Sequence, residues 1–294
     1  MLEKITIVTV ILTDPISQFR DFLDSLRKIE KYDFDLILVN NSRKIGWLKS
    51  ETRDFPRVTI INIGRNIGFC AGSNLGIRKA LENGSSHVML LNGDTTVSPN
   101  VLADLLKYQK NTSAKITSPI ILSAKNKKIV FYAGGIINRF WGYVRNRNFG
   151  KKYLPKKFKS GKVDFANGCC MLIRREVFEK IGFLDEDLFI YFDDPDFSLR
   201  AQHAGFETHI LAEPLISHIK TSNSLNAFSA YLYARNPFIL IRKNFPWYFR
   251  PSAYLGQFLI RLPRNLFRCQ NLSAVKSYFL GLWHGIISKI DNIF

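Results

Sequence analysis

Residues 5–12 read Ile5-Thr-Ile-Val-Thr-Val-Ile-Leu12, a continuous run of apolar and β-branched side chains. Such a run is typical of a strand that is buried on both faces of a sheet. Just after it, apolar residues recur at intervals of three and four, at Phe19, Phe22, Leu23 and Leu26. This spacing places them on one face of a helix. The opening of the chain therefore predicts a buried strand followed by a helix that packs on it.

The same alternation of strand and helix continues through the first half of the chain. It predicts strands at Asp35–Asn40, Val58–Ile63 and His87–Leu91, and helices at Gly72–Leu81 and Val101–Tyr108. Within the first of these helices, the pattern turns Leu75, Ala80 and Leu81 inward. Strands separated by helices indicate βαβ units, which form a parallel sheet with right-handed crossovers. The predicted fold class is therefore α/β, with a mostly parallel central sheet flanked by helices.

A further strand and a further helix are predicted in the second half of the chain. Gly168–Ile173 has the pattern of a strand, and Glu176–Gly182 that of a short helix that a glycine ends.

The composition indicates a folded protein with a basic surface. The chain has 294 residues, of which 46% are hydrophobic and 13% aromatic, enough to bury a large core. A net charge of +18 favours partners such as nucleic acid, anionic membranes or phosphorylated ligands. The four cysteines, Cys70, Cys169, Cys170 and Cys269, lack metal-ligand spacing, and we expect reduced thiols in a cytoplasmic protein. We expect neither an export signal nor a membrane-spanning segment, since no apolar run reaches about 18 residues.

Two segments are strongly basic. Gly142–Lys162 has eight lysines and arginines and no acid, which suits a solvated loop or a loop that faces an anionic acceptor or membrane. After Glu213 no acid follows until Asp291, and basic and aromatic residues alternate. This tail is either an interfacial membrane element or a helical subdomain with its aromatic residues packed on the core. We predict a main domain at residues 1–240, with halves 1–122 and 123–240, and a helical tail at 241–294.

Polar residues follow several of the predicted strands, where ligands bind in α/β sheets. Asp94, in Asn92-Gly93-Asp94, places a carboxylate beside a small residue, an arrangement that suits a hard cation such as Mg²⁺ or Mn²⁺. The glycine-rich stretch Asn66–Gly76 can present a helix N-terminus to phosphate, although its spacing differs from the dinucleotide fingerprint. Both features are also common as plain turns.

A second acidic site follows the apolar run Leu188–Phe192. Asp193 and Asp194 close this run, and a pair of charges there is costly unless it has a role. One interpretation is that one of them caps a helix that begins near Pro195. The other is that a carboxylate of the pair acts as a general base, shielded by Tyr191 and Phe192.

His218 is the last candidate. It follows a strand predicted at Glu207–Ile210 and a turn at Glu213-Pro214. A single histidine is often structural, but an imidazole is also a suitable metal ligand beside a carboxylate and a diphosphate.

In this order, the motifs resemble glycosyltransferase family 2, the inverting enzymes of the GT-A fold, and within it the rhamnosyltransferase-like branch. The resemblance covers about residues 4–240. It rests on the opening strand and on Val39–Ser42, Asn66–Gly76, Leu90–Thr95, Asn167-Gly168, Phe183–Asp194, Leu199-Arg200, Ala204-Gly205, His218 and Arg235-Asn236.

The resemblance implies a role for each matching residue. Asp94 corresponds to the second acid of the family's metal-binding Asp-x-Asp motif, with Asn92 at the first position. Asp194 corresponds to the catalytic base, Asp193 stands where Glu is usual, and His218 corresponds to a histidine that can bind the metal.

The resemblance also implies two sets of substrate contacts. The donor-side residues are Thr13, Asn40, Asn66, Gly68, Asn74 and Asn92, and the acceptor-side residues are Asn167, Gly168 and Arg200. The candidates to orient the base are Asp193 and Arg200. The family usually has Asp at the position of Asn40 and Tyr-Asn at that of Thr13-Asp14. An amide adds a hydrogen-bond donor, so these departures leave the nucleotide base open.

The expected function is the metal-dependent, inverting transfer of a sugar, with rhamnose as one candidate, from a dTDP- or UDP-sugar. The expected acceptor is a hydroxyl of a glycan or lipid-linked acceptor in cell-surface polysaccharide synthesis. We expect a peripheral protein on the anionic inner face of the plasma membrane, without a nucleic-acid partner.

Two other functions remain open at this point. A sugar-phosphate nucleotidyltransferase would need a glycine-rich basic loop after the first strand, where this chain has Thr13-Asp14-Pro15. A non-catalytic basic module would bind membrane, or nucleic acid with a strong dependence on salt.

Overall fold

A computed structural model of the chain describes residues 3–12, 15–30, 33–43, 46–219 and 224–287. The strands are Ile5–Ile11 (β1), Phe34–Asn40 (β2), Val58–Asn62 (β3), His87–Leu91 (β4), Thr95–Val97 (β5), Ala114–Ser123 (β6), Asn126–Tyr132 (β7), Gly135–Asn138 (β8), Tyr143–Asn146 (β9), Gly161–Lys162 (β10), Cys170–Arg174 (β11) and Glu207–His218 (β12).

The helices confirm the predicted alternation in the first half and continue through the tail. They are Ile16–Leu26 (α1), Gly46–Glu51 (α2), Phe69–Glu82 (α3), Val101–Lys110 (α4), Arg175–Ile181 (α5), Asp193–His203 (α6), Ala227–Asn244 (α7), Arg250–Gly256 (α8), Leu262–Leu266 (α9) and Leu272–Ile286 (α10). As predicted, α1 buries Phe19, Phe22, Leu23 and Leu26.

One mixed sheet forms the centre of the described chain, in the order β10-β12-β6-β11-β4-β1-β2-β3. The half made of β4, β1, β2 and β3 is entirely parallel, so the carboxyl ends of these strands share one edge. Antiparallel β11 lies between β4 and β6 and brings the second half of the chain into the sheet. Because of this insertion, the turns after β4 and before β11 meet at the same edge.

Helix α3 lies unusually close to the sheet. A Cβ atom on Gly76 would collide with Cγ1 of Val8, and one on Gly72 would lie 3.1 Å from Cγ1 of Val10. These glycines form the inward face together with Ile77 and Ala80, whereas Leu75 is exposed. The prediction that Leu75 faces inward is therefore wrong, because the close approach of the two backbones selects glycine rather than leucine.

Strand β12 is longer than the predicted Glu207–Ile210. It continues through Pro214 to His218, with irregular register on both sides of that proline. Its end pairs with β5, which places His218 opposite Thr95. Pro214 therefore marks a bulge within one strand and not the end of a strand. The strand continues to His218, which lies at the sheet edge beside Asp94.

The helices of the tail pack in an unusual way. The inner face of α10 carries Gly281 and Gly285, where a Cβ would collide with the Tyr231 carbonyl oxygen or lie 2.7 Å from the ring of Phe238. Its outer face carries large apolar residues that are exposed, including Phe279 and Trp283 at 50% and 57%. Because its inner face also buries Tyr278 and Leu282, α10 is apolar on both faces, unlike a typical surface helix with a polar outer face. No helix within the described ranges is long and apolar enough to cross a membrane.

Helix α7 extends on both sides of residue 240. The division of the chain at that residue stays a prediction.

The close packing of α3 gives a test of the fold. We expect Gly76→Ala to lower the free energy of unfolding by about 1–3 kcal/mol, because the added methyl group displaces Val8 from the core. Urea denaturation followed by circular dichroism measures this change. The matched control is Gly46→Ala, since a Cβ there meets nothing within 4 Å and should change stability by less than about 0.5 kcal/mol. Equal stability of the two variants would contradict the packing.

Candidate active site

The turn before α6 has a strained backbone. Phe189, Tyr191 and Phe192 have φ values of 62°, 69° and 68°, in the left-handed region that residues with a Cβ seldom adopt. The side-chain amide of Asn236 donates hydrogen bonds to the carbonyl oxygens of Leu188, Ile190 and Tyr191 at 2.8, 2.9 and 2.9 Å. A buried side chain on α7 thus holds the turn in a conformation that it would not adopt alone.

The neighbour of Asn236 supports the same arrangement. Arg235 donates through Nη2 to the carbonyl oxygen of Asp187 at 2.6 Å and through Nε to Oδ1 of Asn236 at 3.1 Å. Both side chains are buried. The Arg-Asn pair therefore fixes the segment from Asp187 to Tyr191, which leads directly into the two acidic residues.

Helix α6 begins at Asp193, two residues earlier than predicted. Phe192 occupies the position before the helix, so neither acidic side chain serves as its N-cap. Asp193 and Asp194 instead lie in the first turn, where the partial positive charge of the helix favours carboxylates. The capping interpretation is therefore wrong for this pair.

The two carboxylates have different surroundings. Asp193 is buried, and burial raises its pKa to about 6. Asp194 is partly exposed and accepts a hydrogen bond from the backbone N–H of Gly168 at 3.3 Å. Burial of its carboxyl group raises the pKa of Asp194 well above the ordinary range, and the charge of Asp193 raises it further. Asp194 is thus a partly exposed residue whose carboxylate has an increased affinity for a proton.

Asp94 and His218 form the second half of the site. Nε2 of His218 lies 3.2 Å from Oδ2 of Asp94. Burial lowers the pKa of His218, but the sulfur of Cys169 and the Asp94 carboxylate raise it, and the net change is an increase. The ring of Phe131 packs on the imidazole with centroids 4.5 Å apart. An acid from the turn after β4 and a base from the end of β12 therefore meet at one edge of the sheet.

The segment Asn167–Cys169 connects the two acidic sites. Cys169 accepts a backbone hydrogen bond from Asn92 at 3.0 Å, and Gly168 donates to Asp194. The carboxylates of Asp94 and Asp194 both raise the pKa of the Cys169 thiol, after burial, which is the larger cause. Residues that lie about a hundred positions apart in the sequence are thus brought to one segment, since the Asp94 turn bonds to Cys169 and Asp194 bonds to the adjacent Gly168.

The donor set at Asp94 fits a divalent cation. A carboxylate oxygen and an imidazole nitrogen suit Mn²⁺, and the carboxylate also suits Mg²⁺. Nδ1 of His218 is buried without a hydrogen-bond partner in the described part of the chain, so the ring is held by packing and by Asp94. Across the described ranges, no group of three or more His, Cys, Asp or Glu residues is arranged to hold a metal ion. The two side chains can therefore provide part of a coordination shell.

The predicted donor-side residues fall into two groups. Asn40 and Asn66 lie at strand ends and use side-chain oxygens to accept backbone N–H groups, from Ser42 and Gly68 respectively. Gly68, with φ of 91°, lies so close to Phe189 that a Cβ would be 2.8 Å from its ring. Asn92 donates weakly to the sulfur of Cys169 at 3.6 Å. These residues surround the edge of the sheet, while Thr13 lies outside the described residues.

Two predicted site residues have other partners. Both ends of the Asn74 amide are bonded to the Leu184 backbone, and its nitrogen also contacts Glu186. Arg200 donates to Asp196 and to the carbonyl oxygens of Ile181 and Phe183. Arg200 therefore anchors the start of α6, and the expectation that it orients the base is wrong, because its donors point to Asp196 and to that loop.

On the predicted acceptor side, Asn167 is buried and caps its own turn by accepting from the N–H of Cys169 at 3.0 Å. Gly168 is the residue that contacts Asp194.

Residue chemistry alone does not point to Asn236 or Cys169. Asn236 appears in the resemblance as part of a pair, but its three carbonyl contacts depend on long-range packing. Cys169 lacks metal-ligand spacing, and its contact with Asn92 follows from the pairing of β11 with β4.

Two open cavities of about 340 and 370 Å³ border the basic segment 142–162. Their lining includes Arg145, Arg147, Lys151, Lys157, Lys159 and Lys162. The ring of Phe149 in the first cavity lies 6.0 Å from Phe131, which packs on His218. The basic segment is thus ordered and adjoins the Asp94 end of the cleft.

Comparison with known proteins agrees with this geometry. Residues 8–248 match the family model described as "Glycosyltransferase like family 2". The dTDP-rhamnosyl transferase RfbF of Shigella flexneri is 26% identical over 224 residues, which are 71% of this chain and 71% of that protein. The N-acetylglucosaminyl-diphospho-decaprenol L-rhamnosyltransferase of Mycobacterium tuberculosis is 22% identical over 250 residues, 78% of this chain and 80% of that protein.

Solved structures share the fold. Staphylococcus aureus TarS 1-349 in complex with UDP-GlcNAc superposes with a TM-score of 0.63 at 11% identity, covering 96% of this chain and 80% of that chain. GalNAc-T7 with UDP, GalNAc and Mn²⁺ superposes with a TM-score of 0.60 at 16% identity, covering 91% of this chain and 58% of that chain. The α/β fold is therefore of the GT-A type, as predicted.

The family match spans most of the chain, and both relatives described above carry rhamnosyltransferase names. The chain belongs to glycosyltransferase-like family 2, in its rhamnosyltransferase-like branch, and is a glycosyltransferase.

Proposed function

We propose that this glycosyltransferase inverts the configuration of the sugar it transfers, and that Asp194 is its catalytic base. The observation that carries the proposal is that the segment Asn167–Cys169 joins the Asp94 turn to Asp194, since Asn92 donates to Cys169 and Gly168 donates to Asp194. In this proposal a donor diphosphate binds at the Asp94 carboxylate and an acceptor hydroxyl at Asp194.

The surroundings of Asp194 support the role of base. Its raised pKa gives the carboxylate a high affinity for the proton of a sugar hydroxyl. The hydrogen bond from Gly168 and the rigid turn held by Asn236 fix its direction. Asp194 takes the proton while the acceptor oxygen attacks the anomeric carbon from the face opposite the diphosphate, which inverts the configuration.

The donor is a nucleotide-diphosphate sugar, and the dTDP-rhamnosyl transferase among the relatives favours dTDP-rhamnose over a UDP-sugar. Asp94 and His218 would hold Mn²⁺ or Mg²⁺ together with the donor diphosphate. When bound, such a cation supplies positive charge that stabilises the leaving diphosphate. We assign contact with the nucleotide base to the end of β2, where Asn40 lies.

The acceptor is a lipid-linked glycan in cell-surface polysaccharide synthesis. The name of the Mycobacterium tuberculosis relative describes an acceptor of this kind. Exposed aromatic side chains on α10 and basic side chains along the tail suit an anionic membrane surface, where such an acceptor resides. The enzyme would then work as a peripheral protein on the inner face of the plasma membrane.

Replacing Asp194 by Asn should lower sugar transfer at least about 100-fold, because an amide cannot take the acceptor proton. Transfer is measured with labelled dTDP- and UDP-sugars and lipid-extracted membranes as the source of acceptors. Donor binding, measured by thermal shift with Mn²⁺, should remain near the wild-type value, since Asp94 and His218 are intact. Retained turnover in this variant would exclude Asp194 as the base.

The matched control for this experiment is Asp94→Asn. This variant should lose the Mn²⁺-dependent part of the thermal shift, because the carboxylate ligand is removed while Asp194 is unchanged. If Mn²⁺ shifts Asp94→Asn as strongly as the wild type, the cation binds elsewhere.

Asp193 gives a prediction about pH. Because Asp194 must be ionised to act, kcat/KM should fall as pH drops below its raised pKa. Asp193→Asn removes the neighbouring negative charge, so the pKa of Asp194 should fall and the acidic limb of the profile should move down by about one pH unit. The measurement is kcat/KM from pH 4.5 to 8.5 for both proteins. An unchanged acidic limb would show that Asp193 does not tune Asp194.

The outer face of α10 gives a prediction about membranes. Phe279→Gln combined with Trp283→Gln should weaken binding to phosphatidylglycerol-containing vesicles at least about tenfold, since each buried aromatic contributes about 1.5–3 kcal/mol. Co-sedimentation measures the bound fraction. Leu75→Gln, which changes an exposed apolar residue of α3 outside both basic segments, is the control and should bind as the wild type does. Unchanged binding of the double variant would show that α10 is not the contact surface.

A further inference from the structure

A π-helical turn joins α8 to α9 at Gln257–Arg261. Helical turns of this type are rare and occur often at functional sites. The turn is fixed against the β8–β9 hairpin, since Gln257 donates to the carbonyl oxygen of Gly142 at 2.9 Å and a Cβ on Gly256 would collide with the carbonyl oxygen of Trp141. Its side chains therefore have defined directions.

Arg261, the last residue of this turn, points toward the catalytic turn. Its guanidinium carbon lies 4.8 Å from the centroid of the Phe192 ring, and Nη2 donates to the carbonyl oxygen of Tyr233 at 3.4 Å. Phe192 immediately precedes Asp193 and Asp194. A cation from the tail thus lies beside the residues that the proposed mechanism uses.

The charge of Arg261 is poorly compensated. Its Nε is buried and has no hydrogen-bond partner among the residues that the structure describes. Burial above all, helped by the charges of Arg264 and Arg268 and opposed by the hydroxyls of Tyr278 and Tyr233, lowers the pKa of Arg261 to about 10. Burying a cation beside other cations is costly, so an anion bound here would be strongly favoured.

The opposite side of the same turn is apolar. Phe258, Leu259 and Ile260 are exposed, Leu259 by 60%, and Phe267 beyond α9 is 92% exposed. One short segment therefore presents a guanidinium inward, next to the catalytic turn, and an apolar surface outward. A molecule with a phosphate group joined to a hydrocarbon chain matches both sides.

We propose that Arg261, with Arg264 and Arg268, binds the phosphate that joins the acceptor sugar to its lipid. The inference rests on the proposed function, because it places the acceptor hydroxyl at Asp194. The Phe192 ring contacts Arg261 and lies two residues before Asp194, so a sugar whose hydroxyl binds at Asp194 would direct its anomeric phosphate toward Arg261. The lipid chain then extends over the exposed side chains of Phe258, Leu259 and Ile260 toward the membrane.

The test measures binding of farnesyl diphosphate, a prenyl diphosphate without a sugar, by tryptophan fluorescence in EDTA without donor. EDTA keeps the diphosphate from binding through a cation at Asp94. We expect Arg261→Gln to weaken binding at least tenfold and Arg261→Lys to weaken it less. Lys276→Gln, which removes an exposed cation of α10, should remain within twofold of the wild type. Thermal unfolding verifies that each variant is folded, and Arg264→Gln replaces Arg261→Gln if the latter is not.

Three results would overturn the inference. They are unchanged affinity in the arginine variants, equal loss in Lys276→Gln, and loss of binding in Asp94→Asn, which would assign the diphosphate to the donor site. Farnesol carries only the hydrocarbon part of the probe, and inorganic pyrophosphate only its anionic part. If one site recognises both parts, each compound should bind at least tenfold more weakly than farnesyl diphosphate. Because no donor is present, the outcome is independent of whether Asp194 is the base. Failure of transfer with normal farnesyl diphosphate binding would reject the proposed function alone.

Discussion

The side-chain amide of Asn236 is the constraint on which the catalytic geometry depends. It binds three carbonyl oxygens of a turn in which three residues with side chains have positive φ. Each such residue costs about 1–3 kcal/mol, and the conformation persists only because the surroundings over-determine it. With the turn in this conformation, α6 starts at Asp193 and Asp194 points toward Gly168. The acidic pair is therefore positioned from α7, a helix that follows it by more than twenty residues.

Close backbone contacts form the second constraint, and they show where sequence patterns have limits. The buried strand at residues 5–11 and the inner face of α1 could be predicted, because apolar spacing reports burial directly. Leu75 was assigned to the wrong face of α3, since that helix packs through glycines that carry no apolar signal. The end of β12 was also missed, because Pro214 reads as a break while the strand continues through a bulge to His218.

The acidic residues of the site could be chosen from the sequence, but their partners could not. Asp94 and Asp194 stand out as carboxylates that follow apolar runs, and their placement in one cleft depends on antiparallel β11 between β4 and β6. Arg200 and Asn74 have suitable chemistry and neighbouring positions, yet their hydrogen bonds go to Asp196 and to the Leu184 backbone. Residue type and spacing indicate which side chains are candidates, while tertiary hydrogen bonds decide which way each one points.

Helix α7 has two neighbours of very different character. On one side Asn236 and Arg235 hold the catalytic turn, and on the other the helix packs against the glycine face of α10. Phe238, Tyr278 and Leu282 fill the space beside these glycines, so α7 and α10 share one packed interface. The helix that holds the catalytic turn is thus also the helix on which α10 rests. Any partner that binds the outer face of α10 would lie one helix away from the backbone beside Asp194.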